Sequence, residues 1–253
     1  MASTESHAVT TLYRAFLADS APDDLVQGPQ HWDVLTAEPG GVDYVEVEAG
    51  GLPALWATPK GCAEDRVLLC IHGGGFISGS IYTHRKLYAH LAKAAGARAL
   101  LLGYRLLPQG VHPSPVDDVV AAYRWLLGER IDAGHIAFAG DSAGGGLAIT
   151  AQLRARDAGL PLPAAALLVS PWVDFEVTGE TMLSNQGKDA LFTKAWVEQL
   201  AAGFLGGGDP RDPYANALPR TSPAWGRSPS RSATRSCCST TAAGSPSTPA
   251  RPA

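Results

Sequence analysis

The chain has 253 residues, of which 45% are hydrophobic and 17% are charged, and its formal net charge is −4. This length and apolar content suffice for one globular α/β domain. The charge carries no basic excess, and Lys and Arg are scattered along the chain, which argues against a nucleic-acid partner. Nowhere do about 18 apolar residues follow one another, and no basic segment precedes an apolar run at the start, so neither a membrane span nor export is expected. We therefore expect a cytoplasmic protein that acts on a small molecule.

The first part of the chain predicts one helix and one hairpin. Residues 8–18 place apolar side chains at helical spacing, which predicts an N-terminal helix that lies across another part of the molecule. Pro and Gly then interrupt this pattern, and we interpret residues 1–40 as an N-terminal cap region. Residues 42–58 alternate between apolar and polar side chains around Gly50 and Gly51, which predicts a β-hairpin.

Apolar strands and helices then alternate along the chain. Near-continuous apolar strands separated by helices are typical of a parallel sheet that is covered on both faces. The predicted fold class is therefore α/β, with a doubly wound, mostly parallel sheet over residues 41–174. The predicted strands are 67–71, 97–104, 135–140 and 165–171, and the predicted helices are 83–96, 115–128 and 143–157.

Residues 175–218 interrupt this alternation. The amphipathic segment 192–205 predicts a helix without a new strand before it, so we interpret the region as a helical cap or lid that returns to the core. Aromatic residues here could line an apolar pocket beneath the lid, although side chains at helical spacing more often belong to a core. These residues are Trp172, Phe175, Phe192, Trp196 and Phe204.

Residues 219–253 differ in composition from the rest of the chain. From Thr221 onward they contain no Leu, Ile, Val, Phe or Met and are rich in Ser, Thr, Pro and Ala. Such a segment cannot bury a core, so a disordered tail is predicted.

The sequence GDSAG at 140–144 stands between a predicted strand and a predicted helix. Its small residues permit a sharp strand-to-helix turn, which exposes a serine side chain at the edge of the sheet, next to a helix N-terminus. Ser142 is therefore the predicted nucleophile.

The sequence HGGG at 72–75 directly follows the strand at 67–71. Because glycines leave the backbone bare, their N–H groups can converge on an oxygen that gains negative charge. Gly73, Gly74 and Gly75, together with the N–H of Ala143, are the predicted oxyanion-hole donors. A phosphate-binding loop is the alternative, but its usual glycine patterns are absent from the sequence. The cysteines match no metal-binding spacing, so no metal is expected.

These motifs resemble those of the hormone-sensitive-lipase-like, or G-D-x-G, branch of the α/β-hydrolases. The branch contains bacterial carboxylesterases and lactone hydrolases, so the resemblance implies hydrolysis of a small to medium ester or lactone through an acyl-serine, without a cofactor. The resemblance runs from about residue 40 to residue 218 and includes HGGGF at 72–76, GDSAGGGLA at 140–148, SPWVDF at 170–175 and DPRDPYAN at 209–216. It also implies structural roles for His72, Tyr104, Arg105, Asp141 and Asp174.

The family pattern requires an acid and then a histidine after the nucleophile. All seven histidines of this sequence precede Ser142. When the tail is back-translated with GC-rich codons and read two bases on, it yields a family-like segment that contains GDEELLLDD. We therefore hypothesise a frameshift near Leu218 or Pro219, which would truncate the fold before its last βα units. A natural Ser- and Pro-rich tail is the alternative.

Two functions from different classes remain open. The first is a serine hydrolase of esters or lactones, with the activity of this particular chain impaired. The second is a non-catalytic, receptor-like protein that keeps the pocket and has lost the histidine. A histidine in the shifted frame favours the enzyme, and its absence there favours the receptor. The sequence is silent on acyl-chain preference and on oligomeric state.

Overall fold

The structure is a computed structural model that describes residues 3–19, 36–189 and 191–217. The predictions for residues 219–253, including the tail and the frameshift, lie outside the described residues. Among the helices that are described, none has the length and apolar character needed to cross a membrane. The cytoplasmic location stays a prediction.

Every strand and long helix expected from the sequence is present, with small shifts of the ends. The strands are β1 (Val42–Ala49), β2 (Leu52–Pro59), β3 (Ala63–Ile71), β4 (Ala97–Leu102), β5 (Ile136–Asp141) and β6 (Ala165–Val169). The helices are α1 (Thr4–Asp19), α2 (Arg85–Ala95), α3 (Ser114–Gly128), α4 (Ser142–Asp157), α5 (Thr181–Ser184) and α6 (Lys194–Leu205). A short 3₁₀ turn, Ala133–His135, precedes β5.

The six strands form one sheet in the order β1-β2-β4-β3-β5-β6. β1 and β2 form the predicted antiparallel hairpin, and β2 also pairs antiparallel with β4. The remaining neighbours are parallel, which confirms the predicted fold class. In the pairing of β3 with β5, Ile71 lies opposite Gly140. This register brings the loop after β3 next to the turn after β5.

Both faces of the central part of the sheet are covered, which explains why β4, β5 and the second half of β3 are mostly apolar. Leu69 and Ile71 of β3 pack in a core cluster with residues of α3 and α4. The intervening Cys70 points to the opposite face, where it packs in a cluster with residues of α2. Alternate residues of one strand therefore enter two different cores.

Burial adds detail to two sequence-based expectations. Val9 and Leu12 of α1 are 48% and 55% exposed, so the predicted packing of this helix is not seen at these two residues. In the region predicted as a lid, Phe175 and Phe204 are buried in the main core cluster, whereas the lid itself stays a prediction. Both side chains contact Phe76, which follows β3, and periodicity in the sequence does not predict these contacts.

Strand β6 lies at the edge of the sheet among the described residues. Leu167 and Val169 on this strand are exposed. This agrees with the expectation that the sheet continues beyond the strand at 165–171.

Candidate active site

Ser142 lies at a strained turn between β5 and α4. Its φ of +51° is unusual for a residue with a side chain. The turn is tight because Gly144 lies against the end of β3, and a Cβ at Gly144 would overlap the carbonyl oxygen of Ile71. The structure therefore has the sharp strand-to-helix turn that the glycine pattern predicts.

The loop after β3 is wound just as tightly. Gly74 has a φ of +114°, and its carbonyl oxygen accepts the N–H groups of Ile77 and Ser78 at 3.1 and 3.0 Å. A Cβ at Gly74 would overlap the carbonyl oxygen of Ser78. Within the described residues, the N–H groups of Gly74 and Gly75 have no hydrogen-bond partner. Both glycines line the same cavity as Ser142.

Gly73 needs a correction, because its N–H is already engaged. It donates to Oδ1 of Asp141 at 3.1 Å. The N–H therefore points away from a reacting carbonyl oxygen, and Gly73 drops out of the predicted set of oxyanion donors. Its contact instead anchors the start of the loop to the end of β5.

Ala143 follows Ser142 in the first turn of α4 and is fully buried. The first four N–H groups of a helix have no intrahelical acceptor. The N–H of Ala143 is thus available at the positive end of the α4 dipole, beside the serine.

The carboxylate of Asp141 faces the glycine loop and α2, not the serine. It accepts the Tyr88 O–H at 2.7 Å as well as the Gly73 N–H, and Nε2 of His84 lies 3.6 Å from its Oδ2. Burial alone would raise the pKa of Asp141, but His84, Tyr88 and His72 together lower it below its ordinary value. The carboxylate of Asp141 is therefore ionised at neutral pH and holds the start of the loop through the Gly73 N–H.

His72 is buried beneath the loop. Nδ1 lies 2.7 Å from the carbonyl oxygen of Gly73 and must donate to it, because a carbonyl only accepts. The ring stacks on Tyr104 at 4.4 Å, and the Tyr104 O–H donates to the His72 carbonyl at 2.8 Å. Burial, with the neighbouring His84, lowers the pKa of His72 to about 4. A neutral, weakly basic imidazole supports the loop and is a poor proton acceptor.

Two further residues of the family pattern also make structural contacts. Arg105 binds the buried carboxylate of Asp118, with its Nη2 at 2.6 Å. Asp174 accepts the N–H groups of Glu176 and Thr178 at 3.0 and 2.7 Å, which closes the turn after β6.

An aromatic cluster supports the glycine loop from the side of α6. Phe76, which ends the HGGGF sequence, stacks on Phe204 at 3.9 Å. Phe175 packs against both rings, and Trp172 stacks on Phe175 at 4.6 Å. Three of the five predicted pocket aromatics thus belong to this cluster, and Phe192 and Trp196 line the cavity.

The cavity over Ser142 has a volume of about 430 Å³. Its wall is mostly apolar, and no Lys or Arg of the described chain lines it. A second cavity of about 300 Å³ lies at the opposite end of the strands, beside Val67 and Ile136, away from Ser142. The apolar side chains around Ser142 are Ile77, Leu87, Leu191, Phe192, Trp196 and Leu200.

His84 belongs to this site but was not among the residues predicted from the sequence. Its imidazole lines the cavity, immediately before α2 begins. The sequence shows a histidine shortly after the glycine loop, but only the fold places that histidine next to Asp141.

Comparison with known proteins agrees with this geometry. A profile of the family described as alpha/beta hydrolase fold matches residues 68–231. An acetyl-hydrolase of Streptomyces hygroscopicus is 42% identical over 72% of the chain, and the carboxylic ester hydrolase LipN of Mycobacterium tuberculosis is 33% identical over 78%. The matches span 59% and 57% of these two relatives, so the chain corresponds to little more than half of their length.

A solved structure of an esterase from the bacterial hormone-sensitive lipase family has a TM-score of 0.80 and 38% sequence identity. The match covers 86% of this chain and 74% of that structure. With its family profile, its sheet order and its two glycine turns, the chain belongs to the hormone-sensitive-lipase-like branch of the α/β-hydrolase fold family.

Proposed function

We propose that the chain belongs to a serine hydrolase of carboxylic esters or lactones, with Ser142 as the nucleophile. The observation that carries the proposal is the strained turn at Ser142 beside unpaired N–H groups in one cavity. Relatives that are named acetyl-hydrolase and carboxylic ester hydrolase support the same reaction class.

In the proposed reaction, the Ser142 hydroxyl oxygen attacks the carbonyl carbon while a base removes its proton. The carbonyl oxygen becomes an oxyanion that accepts hydrogen bonds from Gly74, Gly75 and Ala143. Each such donor contributes roughly 3–4 kcal/mol to the stability of the transition state. Collapse of the intermediate releases the alcohol, which takes the proton from the base, and water then hydrolyses the acyl-serine.

The cavity supports a small to medium neutral substrate. Its volume of about 430 Å³ lies at the small end of the range of ligand pockets. An apolar wall without Lys or Arg among the described residues offers no cation to pair with an anionic substrate.

Neither of the two histidines near Ser142 is suited to act as the base. His84 lines the cavity, but Nδ1 lies 2.8 Å from the Thr83 hydroxyl and Nε2 faces Asp141, so neither ring nitrogen is free for Ser142. His72 is a weak base with a pKa of about 4. We therefore propose that the base comes from outside the described residues, in agreement with a histidine in the shifted reading frame.

The same observation favours the receptor-like alternative, in which a ligand occupies the cavity and no acyl-serine forms. The two functions differ in whether Ser142 reacts. A fluorophosphonate probe should label a form whose reading frame is moved at Leu218 or Pro219, and it should not label the Ser142→Ala variant of that form. Equal labelling of wild type and Ser142→Ala would contradict the assignment of the nucleophile. A frame-moved form that folds and binds p-nitrophenyl butyrate without hydrolysing it would favour the receptor.

A further inference from the structure

A chain of polar contacts runs from the wall of the cavity into the glycine loop. Nε2 of His84, which lines the cavity, lies 3.6 Å from Oδ2 of Asp141. The other carboxylate oxygen, Oδ1, accepts the Gly73 N–H at 3.1 Å. Gly73 is followed directly by Gly74, whose N–H belongs to the proposed oxyanion hole. The carboxylate of Asp141 therefore connects His84 to that loop.

The contacts fix the orientation of both side chains. Those of His84 and Asp141 are only 11% and 22% exposed. Nδ1 of His84 lies 2.8 Å from the Thr83 hydroxyl oxygen, and the Tyr88 O–H donates to Oδ1 of Asp141 at 2.7 Å. Because a carboxylate only accepts, we assign a proton to Nε2 of His84, on the side of Asp141. Each ring nitrogen then has one partner.

The space around Gly73 makes the position of this carboxylate important. A Cβ at Gly73 would overlap Oδ2 of Asp141, so the carboxylate fills the volume that a side chain would take. A carboxylate that rotated away would leave the Gly73 N–H without its acceptor and would open a gap beside the backbone. Both effects would loosen the loop at its first glycine.

We propose that His84 is a positioning residue, which acts through Asp141 to hold the glycine loop in the geometry of an oxyanion hole. Its effect on catalysis rests on the proposed function of Ser142, whereas its effect on the loop does not. A measurement on the backbone of the loop therefore separates the two.

Three substitutions of His84 in the full chain distinguish the two ring contacts. The amide nitrogen of Gln reaches the place of Nε2 and preserves a donor to Asp141. Asn reaches only the place of Nδ1, next to Thr83, and Met has the length of Gln without a donor. Hydrogen exchange of the Gly73 amide, followed by NMR, should be about tenfold faster in His84→Asn and His84→Met and nearly unchanged in His84→Gln.

His90→Asn is the matched control, because His90 lies on α2, which begins directly after His84, and its Nε2 lies 2.9 Å from the Ala37 carbonyl oxygen and not at Asp141. It should leave exchange of the Gly73 amide unchanged. If His84→Asn does not fold, the comparison of exchange at Gly73 between His84→Gln and His84→Met tests the inference. Equal exchange at Gly73 in every folded His84 variant and in wild type would overturn the inference.

The labelling rate of Ser142 by a fluorophosphonate, measured in the frame-moved form, supplies the catalytic readout. It should fall in His84→Asn and His84→Met by a factor similar to that seen in exchange and should recover in His84→Gln. Absence of labelling in the frame-moved form without a His84 substitution would contradict the proposed function, while the exchange data would still decide the role of His84. Faster exchange with an unchanged labelling rate would overturn the positioning role, because the loop would then not control reaction at Ser142.

Discussion

The buried imidazole of His72 makes the stability of the fold depend on pH in a defined window. Burial, with the neighbouring His84, lowers the pKa of His72 from 6.5 to about 4. Between these two values the unfolded chain binds a proton that the folded chain does not, so stability is lost as the pH falls from 6.5 toward 4. Each pH unit inside the window costs about 1.4 kcal/mol of unfolding free energy, and the whole window about 3 kcal/mol.

Urea unfolding between about pH 7 and pH 5 measures this loss, since the linear extrapolation gives the free energy of unfolding at each pH. Wild type should lose about 2 kcal/mol over this range from His72 alone. His72→Asn does not titrate and retains an N–H that can bond the Gly73 carbonyl, so its curve should be flatter by that amount. His135→Asn is the control, because His135 is 46% exposed and pairs with Asp65 at the other end of the strands. An equal loss in wild type and His72→Asn would refute the argument.

Three other predictions concern the site and the chain end. Gly74→Ala should lower the turnover of p-nitrophenyl butyrate by the frame-moved form by about 10²–10³, because the new methyl group collides with the Ser78 carbonyl. Unchanged turnover would show that this loop does not belong to the site. Because the pKa of Asp141 is lowered in the folded state, wild type should lose stability as the pH falls from 3.8 through that lowered pKa, and Asp141→Asn should not show this loss. If the loss persists in Asp141→Asn, it belongs to other carboxylates. Moving the reading frame at Leu218 or Pro219 should raise soluble yield and ester hydrolysis, and equal behaviour of both forms would show that the tail is native.

The order and type of the main elements could be predicted because the sheet is buried on both faces. Strands such as β4 then become short apolar runs, which stand out between helices. The start of β3 could not be predicted, because Glu64, Asp65 and Arg66 are exposed and carry no apolar signal. Pairing of Ala63 with Ala97 extends the strand there, and such pairing is set by the neighbouring strand.

The glycine positions of the site could be predicted because the backbone itself requires them. Gly74 and Gly144 stand where a Cβ would overlap a carbonyl oxygen, so the requirement for glycine at these positions can be predicted from the sequence. The direction in which a single N–H points cannot be predicted in this way. The engagement of Gly73 and the contribution of His84 both depend on the carboxylate of Asp141, which lies 68 positions after Gly73 in the chain.

The packing of α6 bears on how a substrate would enter the cavity, and the lid interpretation stays a prediction. Leu200 of α6 lies against Gly75, and Phe204 of the same helix stacks on Phe76. A movement of α6 would therefore displace the glycine loop as well and would disturb the proposed oxyanion hole during binding. Phe192, which lies before α6, lines the same cavity and is itself exposed. Access to the serine is thus more compatible with movement of the segment before α6 than with opening of the helix, which packs against the glycine loop.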